Sequence, residues 1–334
     1  MADPTLWISE ADVVSVLDLP GAIAVLAAGF AAESAGDTVP LEKTTVSFAG
    51  PGTLHALGAA PGNGGGLAGT KTWVHAPGGA DPVLLLFDAA DGRLVAVIEA
   101  FALGQLRTAA TAGLATGRLA RPDAERLAII GTGKQALPQV AAVAAVRPIC
   151  DVRAFSPSAD RREAFARRIP AELGLPAAAV GSAAEAADGA DIVTLITRAT
   201  EPVLTAAMVA PGMHINAVGA IDLTRREFEP AILERAAVVT DSPAQARRLS
   251  AELRDFFGSD PSRWQRLRLL GDVVRETPDR SEKDEITVFK GMGSGVADLA
   301  IGSEVLARVR AAGGGFPIAR RGRAPAALTM KGLP

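Results

Sequence analysis

The sequence predicts an α/β chain in which a parallel sheet with helices on both faces interrupts an α+β unit built on a mostly antiparallel sheet. Three observations carry that expectation. From about residue 120 onward, apolar runs alternate with helix-forming segments. Between Val39 and Glu99, short β-rich runs are separated by turn signals alone. One glycine turn, Gly131 to Ala136, stands between an apolar run and an Ala-rich segment. Alternating strands and helices need a parallel sheet, because parallel neighbours require long crossovers, whereas closely spaced strands with tight turns pair antiparallel. At 334 residues the chain suits two domains of roughly 100–200 residues each.

The elements follow in order. Ser9 reads as an N-cap followed by the acidic Glu10 and Asp12, and a short helix ends before Pro20. Pro20 fits the first turn of the next helix, which turns Ile23, Val25, Leu26 and Phe30 inward. Strand-like runs then appear at Lys43–Phe48, Thr70–His75, Val83–Asp88 and Leu94–Ala100. Gly50-Pro51-Gly52, the glycine-rich stretch Pro61–Gly66, Pro77-Gly78-Gly79 and Asp91-Gly92 separate them, which reads as an antiparallel meander. A helix is expected from Arg107 to Ala120. The alternating strands are Leu127–Ile130, Val152–Phe155, Ala178–Val180, Ile192–Ile196, His214–Val218, Val238–Thr240 and Ile286–Lys290. A helix from Ser294 to Val309 closes the pattern. The tail from Ala311 is rich in Gly, Ala, Arg and Pro, and poor order is expected beyond Ala319.

The segment Leu127 to Val146 carries the strongest chemical signal. It runs from an apolar strand through Gly131-Thr132-Gly133-Lys134-Gln135-Ala136 into a helix. Gly131 permits the sharp turn, Gly133 lets a pyrophosphate approach the backbone, and Ala136 allows close helix–strand packing. The helix N-terminus then offers free N–H groups and the positive end of its dipole. This is the pattern of a Rossmann dinucleotide-binding unit.

At the ribose end, NAD enzymes place an acid after the second strand to hold the 2′-hydroxyl. Here that end reads Ala154-Phe155-Ser156-Pro157-Ser158, with no acid, and Arg161 and Arg162 follow within one helical turn. The serines suit a hydroxyl or a phosphate, and the arginines suit a 2′-phosphate, so NADP(H) is the preferred cofactor and NAD(H) is also accommodated.

Composition excludes several classes. Net charge is −3 with both signs interspersed, so no nucleic-acid stripe or polybasic membrane face is expected. Residues Met1 to Trp7 lack the basic n-region of a signal peptide. The apolar run Ala22 to Ala32 is shorter than the ~20 residues a bilayer needs and reads as a buried helix. The single cysteine, Cys150, rules out an internal disulfide and points to a cytoplasmic protein. His55, His75 and His214 are far apart and form no metal-ligand pattern.

Four blocks in this order resemble the ornithine cyclodeaminase/μ-crystallin family. They are Gly69-Thr70-Lys71, Leu106-Arg107-Thr108-Ala109-Ala110, the Gly131–Ala136 turn, and Ile215-Asn216-Ala217-Val218-Gly219-Ala220. Thr240-Asp241-Ser242 and the segment Thr287 to Ser294 fit as well, so the resemblance spans Trp7 to about Val309. It implies a homodimer whose N-terminal substrate and dimerisation domain (residues 1–118 with 293–334) holds an inserted NAD(P)-binding domain (119–292). It also implies hydride exchange between nicotinamide and a carbon bearing nitrogen, with an amino acid, imine or keto acid as substrate. An open antiparallel sheet leaves edges that subunit pairing would cover, which agrees with a dimer.

The resemblance places the catalytic work on Lys43, Lys71 and Arg107, converging on a substrate carboxylate. Cofactor contacts are implied at Thr108, Thr197, Val218, Gly219 and Gly291 beside the glycine turn and ribose end. Two departures matter. Many relatives carry Arg where this chain has Lys43, which gives up a bidentate grip. Cyclodeaminases carry an Asp directly after Val-Gly-Ala, where this chain has Ile221, with Asp222 one residue later. Isoleucine cannot move a proton, so an imine reductase or amino-acid dehydrogenase is expected, with Asp222 as a candidate substitute acid. A cyclodeaminase-type ammonia-lyase using bound NAD and a μ-crystallin-type binder of small ligands are the alternatives.

Overall fold

The computed structural model describes residues 4–48, 50, 52–276 and 286–319. The expectation for the tail beyond Ala319 lies outside these residues. The chain begins with strand β1 (Thr5–Ile8), helices α1 (Glu10–Val16) and α2 (Leu19–Ala35), and strands β2 (Thr38–Ser47), β3 (Thr53–Pro61), β4 (Leu67–His75), β5 (Val83–Asp88) and β6 (Leu94–Glu99). Helix α3 (Phe101–Leu119) leads to β7 (Arg126–Ile130), α4 (Ala136–Ala144), β8 (Asp151–Phe155), α5 (Ala159–Leu173), β9 (Ala177–Ala179), α6 (Ala183–Ala187), β10 (Ile192–Leu195) and β11 (His214–Ala217). Then come β12 (Ala236–Thr240), α7 (Pro243–Leu249), α8 (Ala251–Phe257), β13 (Leu267–Leu269), α9 (Leu270–Arg275), β14 (Ile286–Lys290), α10 (Gly295–Ala311) and β15 (Phe316–Ile318).

These form two sheets. The first runs β15-β1-β6-β5-β4-β3-β2. Strands β2 to β6 are the expected antiparallel meander, while β1 joins β6 in parallel and β15 adds antiparallel to β1. The second sheet is parallel throughout, in the order β13-β12-β14-β11-β10-β7-β8-β9. Chain order reverses between β7 and β10, and ligands of open α/β sheets bind in the crevice at such a switch point.

Four strands escaped the sequence reading: β1, β3, β13 and β15. Strand β3 carries Gly58, Ala59 and Ala60, so it lacks the β-branched signature of a strand and is held by pairing on both sides. Strand Ile286–Lys290, last in the chain order of the parallel strands, lies between β12 and β11.

Helix α3 begins at Phe101 rather than Arg107. Its first backbone N–H groups, on Phe101 and Ala102, donate to the Glu10 carboxylate of α1, each at 2.7 Å. The cap is therefore tertiary, and no local residue announces it. At the other end a buried polar seam fixes α3 to the parallel sheet. Asn216 Nδ2 donates to Thr116 Oγ1 at 2.8 Å, and Thr287 Oγ1 donates to the Leu119 carbonyl at 3.2 Å.

A single core joins the two units. It includes Leu84, Leu86 and Ile98 of the first sheet, Leu26 and Phe30 of α2, Leu103 and Leu114 of α3, Val296 and Val305 of α10, and Val239 and Phe289 of the second sheet. Two further apolar clusters cover the faces of the parallel sheet. Of the four α2 residues expected to turn inward, Leu26 and Phe30 are fully buried and Ile23 and Val25 half-buried against the same core. Among the described residues, no single helix is long and apolar enough to cross a membrane.

Candidate active site

The inner face of β2, β3 and β4 forms one wall of the site. Leu57 pairs with Lys71, and His55 with Trp73, so all four side chains share that face. The register of β2 shifts between Leu41 and Thr44, where Glu42 and Lys43 stand opposite Leu57. This bulge re-aims Lys43 onto the inner face beside Trp73. Lys43 and Lys71 are both buried, with Nζ atoms 5.8 and 5.3 Å from the Trp73 ring centre. His55 stacks on the same ring at 4.8 Å and bonds to Thr45 and Thr53.

A carboxylate that the sequence reading did not single out holds Lys71 and Arg107. Asp298, in the first turn of α10, is fully buried. Its Oδ1 accepts from Lys71 Nζ at 2.6 Å and lies 3.0 Å from Arg107 Nε. The Arg107 N–H is not aligned for a hydrogen bond, so that contact is an ion pair only. Asp298 reaches this point because α10 sits directly on the sheet. A Cβ at Gly295 would lie 1.9 Å from the Gly58 carbonyl oxygen, so only glycine permits the approach.

The charges are uneven. Burial, followed by the Arg107 guanidinium and then Lys43, outweighs the pull of Asp298 and brings the Lys71 ammonium down to about 8. Lys43 is lowered as well, by burial first and then by Arg107 and Arg248, against Asp222. Lys43 forms no ion pair among the described residues, so it is a buried cation open to an anionic guest. His55 is depressed to about 4 by burial, Lys43 and His75.

The second sheet supplies the opposite wall. Val218, Ile221, Phe289, Gly291, Met292 and Gly293 face Lys43, Leu57, Trp73, Arg107, Thr108 and Thr111 across one cleft, with Asp241 at its base. The Asp241 carboxylate accepts from Met292 N at 2.7 Å and Gly293 N at 2.9 Å. Burial raises its pKa despite those bonds and Arg107.

The glycine turn lies at the end of β7. Gly131 has φ of +108°, and a Cβ there would meet the Ile196 carbonyl oxygen at 2.4 Å. At Gly133 a Cβ would meet nothing within 4 Å, so the backbone faces open space. Helix α4 starts beyond it with no side-chain cap at Gln135; the Ala136 N–H turns back to the Gly133 carbonyl at 3.0 Å, and Pro138 has no N–H to give. These features fit a dinucleotide pyrophosphate, with Thr132 and Lys134 in the same turn.

Several other candidate residues have partners of their own. Asp222 acts on Lys43 through its charge alone and forms no ion pair with it. Its carboxylate accepts from Thr224 N at 2.9 Å and Thr224 Oγ1 at 2.6 Å and pairs with Arg225 at 3.2 Å, while Ile221 takes the place in the cleft. Ser156 is buried, receiving Thr132 Oγ1 at 3.0 Å and donating to the Ser158 carbonyl at 3.3 Å, so it ties the glycine turn to the end of β8. Ser158 is the N-cap of α5. Of the two arginines, Arg162 donates to the Ser156 carbonyl at 3.2 Å, while Arg161 is exposed with its guanidinium unengaged among the described residues. Pro157 is exposed between the two serines, and Thr197 and Gly219 follow β10 and β11 at the far side of the cleft.

Comparison with known proteins agrees with this arrangement. Residues 7–313 match the model of the ornithine cyclodeaminase/mu-crystallin family. A Delta(1)-pyrroline-2-carboxylate reductase of Paracoccus denitrificans is 34% identical over 287 residues, covering 83% of this chain and 90% of that one. A relative from Rhizobium meliloti is 36% identical over 214 residues, or 64% of this chain, and the match spans 65% of that relative's length. Among solved structures, an archaeal alanine dehydrogenase dimer with bound NAD superposes with a TM-score of 0.86 at 26% identity, covering 95% of this chain and 99% of that one. The iminosuccinate reductase of Paracoccus denitrificans in complex with NAD+ gives 0.88 at 25% identity, covering 95% and 100%. The chain is a member of the ornithine cyclodeaminase/mu-crystallin family.

Proposed function

We propose that this protein is an NAD(P)-dependent oxidoreductase acting on C–N bonds, of imine reductase or amino-acid dehydrogenase type. The observation that carries the reading is Lys71 and Arg107 on one buried carboxylate, Asp298, with the buried Lys43 beside Trp73 in the same cleft, across from Val218, Ile221 and Gly291. The relatives that resemble it include a pyrroline-2-carboxylate reductase and an iminosuccinate reductase. When bound, the nicotinamide cofactor supplies or accepts the hydride. The chain's own groups bind and orient the substrate. Lys43 and Arg107 hold a carboxylate, Arg107 with its planar fork. Lys71 Nζ, lowered to about 8, holds a proton at the nitrogen and gives it up readily near neutral pH. Trp73 and Ile221 keep water from the reacting carbon. In this reading residues 119–292 form the cofactor unit, and 1–118 with 293–334 form the substrate and dimerisation unit.

Ile221 in the cleft argues against the lyase, which needs an acid at that place. The test is the near-ultraviolet absorbance of reduced cofactor, followed with cyclic imines and with 2-oxo acids plus ammonia or methylamine. Consumption of reduced cofactor is expected. Ammonia release without net cofactor change would establish the lyase instead, and saturable ligand binding with neither would establish a binding protein.

The cofactor preference we propose is NADP(H), because Arg161 stands open beside the acid-free end of β8. Fluorescence titration should give NADPH an affinity at least equal to that of NADH. A preference for NADH greater than about tenfold, about 1.4 kcal/mol, would reverse the assignment. We also propose a homodimer paired through the outer face of the first sheet. Val46, Leu54 and Val74 lie in register across three strands on that face, and all are exposed, as are Val39 and Leu41. Light scattering at micromolar concentration tests it. A cytoplasmic setting fits the free, exposed Cys150.

A further inference from the structure

Beyond the cation cluster, the second wall of the cleft is organised by a buried carboxylate with no part in the proposed chemistry. Glu227 is fully buried. Its Oε1 accepts from Thr197 N at 2.6 Å and Thr197 Oγ1 at 2.9 Å, and its Oε2 accepts from Gly219 N at 2.8 Å and Ala220 N at 2.9 Å. Thr197 follows β10, and Gly219 and Ala220 follow β11. One side chain therefore ties together the loops at the carboxyl ends of two neighbouring parallel strands.

A second ion pair sets the position of Glu227. Its own N–H donates to Glu252 Oε1 at 3.1 Å. The same oxygen receives Lys290 Nζ at 3.1 Å, and Lys290 also donates to the Ala220 carbonyl at 2.7 Å. Ser250 Oγ donates to the other Glu252 oxygen at 2.9 Å. Lys290 and Glu252 are fully buried, and Lys290 ends β14. Both Glu227 oxygens are saturated by donors, so the group has no acceptor capacity left for substrate.

A dinucleotide bound at the switch point lies with its pyrophosphate at the β7 turn and its adenosine end toward β8. The ends of β10 and β11 are then left for the nicotinamide half. Resting on the cofactor reading above, we propose that Glu227 is a positioning residue. It presets the Thr197 and Val218–Ala220 loops for the nicotinamide end of the cofactor while leaving the adenosine end untouched.

The test measures binding by calorimetry on the full-length protein. NADH is compared with ADP-ribose, and NADPH with 2′-phospho-ADP-ribose, the truncated probes lacking nicotinamide. Glu227→Gln replaces an acceptor oxygen by a donor NH2 facing N–H groups. It should weaken both dinucleotides by about 10- to 100-fold and both truncated probes by no more than about twofold. Thr197→Val removes one hydroxyl and guards against misfolding of the first variant. It should show the same selectivity at about three- to tenfold. Equal loss for whole and truncated ligands, or no loss for either variant, would overturn the proposal, since a purely structural role would not discriminate between the two halves. A wild-type protein that binds none of the four probes would instead overturn the cofactor reading, and the proposal with it.

Discussion

Two buried lysines, one on each sheet, show how differently the same side chain can be used. Lys290 on the parallel sheet has a carboxylate and a carbonyl as partners, with the Phe228 ring at 5.8 Å. Lys71 on the antiparallel sheet has a carboxylate too, but it shares that single oxygen with Arg107 and is repelled by Arg107 and Lys43. The first is a satisfied ion that holds loops in place. The second is a crowded ion whose proton is brought down to about 8. Both are buried, so what sets Lys71 apart is the pair of like charges beside it, added to its burial, and these make it the lysine we propose for proton transfer.

The largest effect should separate the two in stability. Lys290→Met leaves Glu252 buried without its cation and should cost about 3–5 kcal/mol in denaturant unfolding. Lys71→Met leaves Asp298 with Arg107 still beside it and should cost clearly less. Equal losses would break the contrast.

Activity should reverse that order. Lys71→Ala should lower kcat/KM by about 30- to 1000-fold, corresponding to ~2–4 kcal/mol, and mostly through kcat, because an interaction with the C–N nitrogen strengthens as hydride arrives. Arg107→Ala should act mainly on KM, with cofactor affinity measured in parallel because Thr108 lies next to it. Lys43→Ala should be milder. Near wild-type turnover in Lys71→Ala, with cofactor binding unchanged, would make Lys71 structural.

The pH profile sharpens the point. If protonated Lys71 serves the reduction, that rate should fall as pH rises through about 8, and the oxidation should rise over the same range. Removing a neighbouring cation raises the Lys71 pKa, so Lys43→Met should move the limb to higher pH. An unmoved limb would remove Lys43 from the cluster.

The smallest expected effect is on acid stability. His55 is depressed to about 4 in the folded protein, against about 6.5 when unfolded. The unfolded chain then binds more protons in that window, so stability should decline as pH falls from about 6.5 toward 4. His55→Phe should flatten that part of the Tm-versus-pH curve. An identical slope would show that His55 adds nothing to acid sensitivity.

Residues that act through local geometry were readable in the chain. The glycine turn, the strands around it and the Ser9 and Pro20 helix starts depend on neighbours a few positions away, and all stand where expected. Lys71 and Arg107 were found through their short surrounding blocks, and the structure brings them to one carboxylate. Asp298 was not found, because an Asp in a first helical turn is ordinarily an exposed dipole partner. Nothing in Val296-Ala297-Asp298 says that α10 will lie against Gly58 and deliver the side chain to Lys71. Glu227 was missed for the same reason, since its donors come from positions 30 and 8 residues away.

Periodicity and turn chemistry thus carried the fold class, the parallel and antiparallel units and the pyrophosphate turn, because backbone conformation is set largely within a few residues. Folding settled what depends on distance in the chain. It capped α3 with Glu10, re-aimed Lys43 through a bulge, turned Asp222 back on Thr224 and Arg225, and buried Asp298 between two cations. Each of these is a polar group choosing its partner. A buried charge takes whichever donor or cation the packing brings within about 3 Å, and only the assembled core determines which that is.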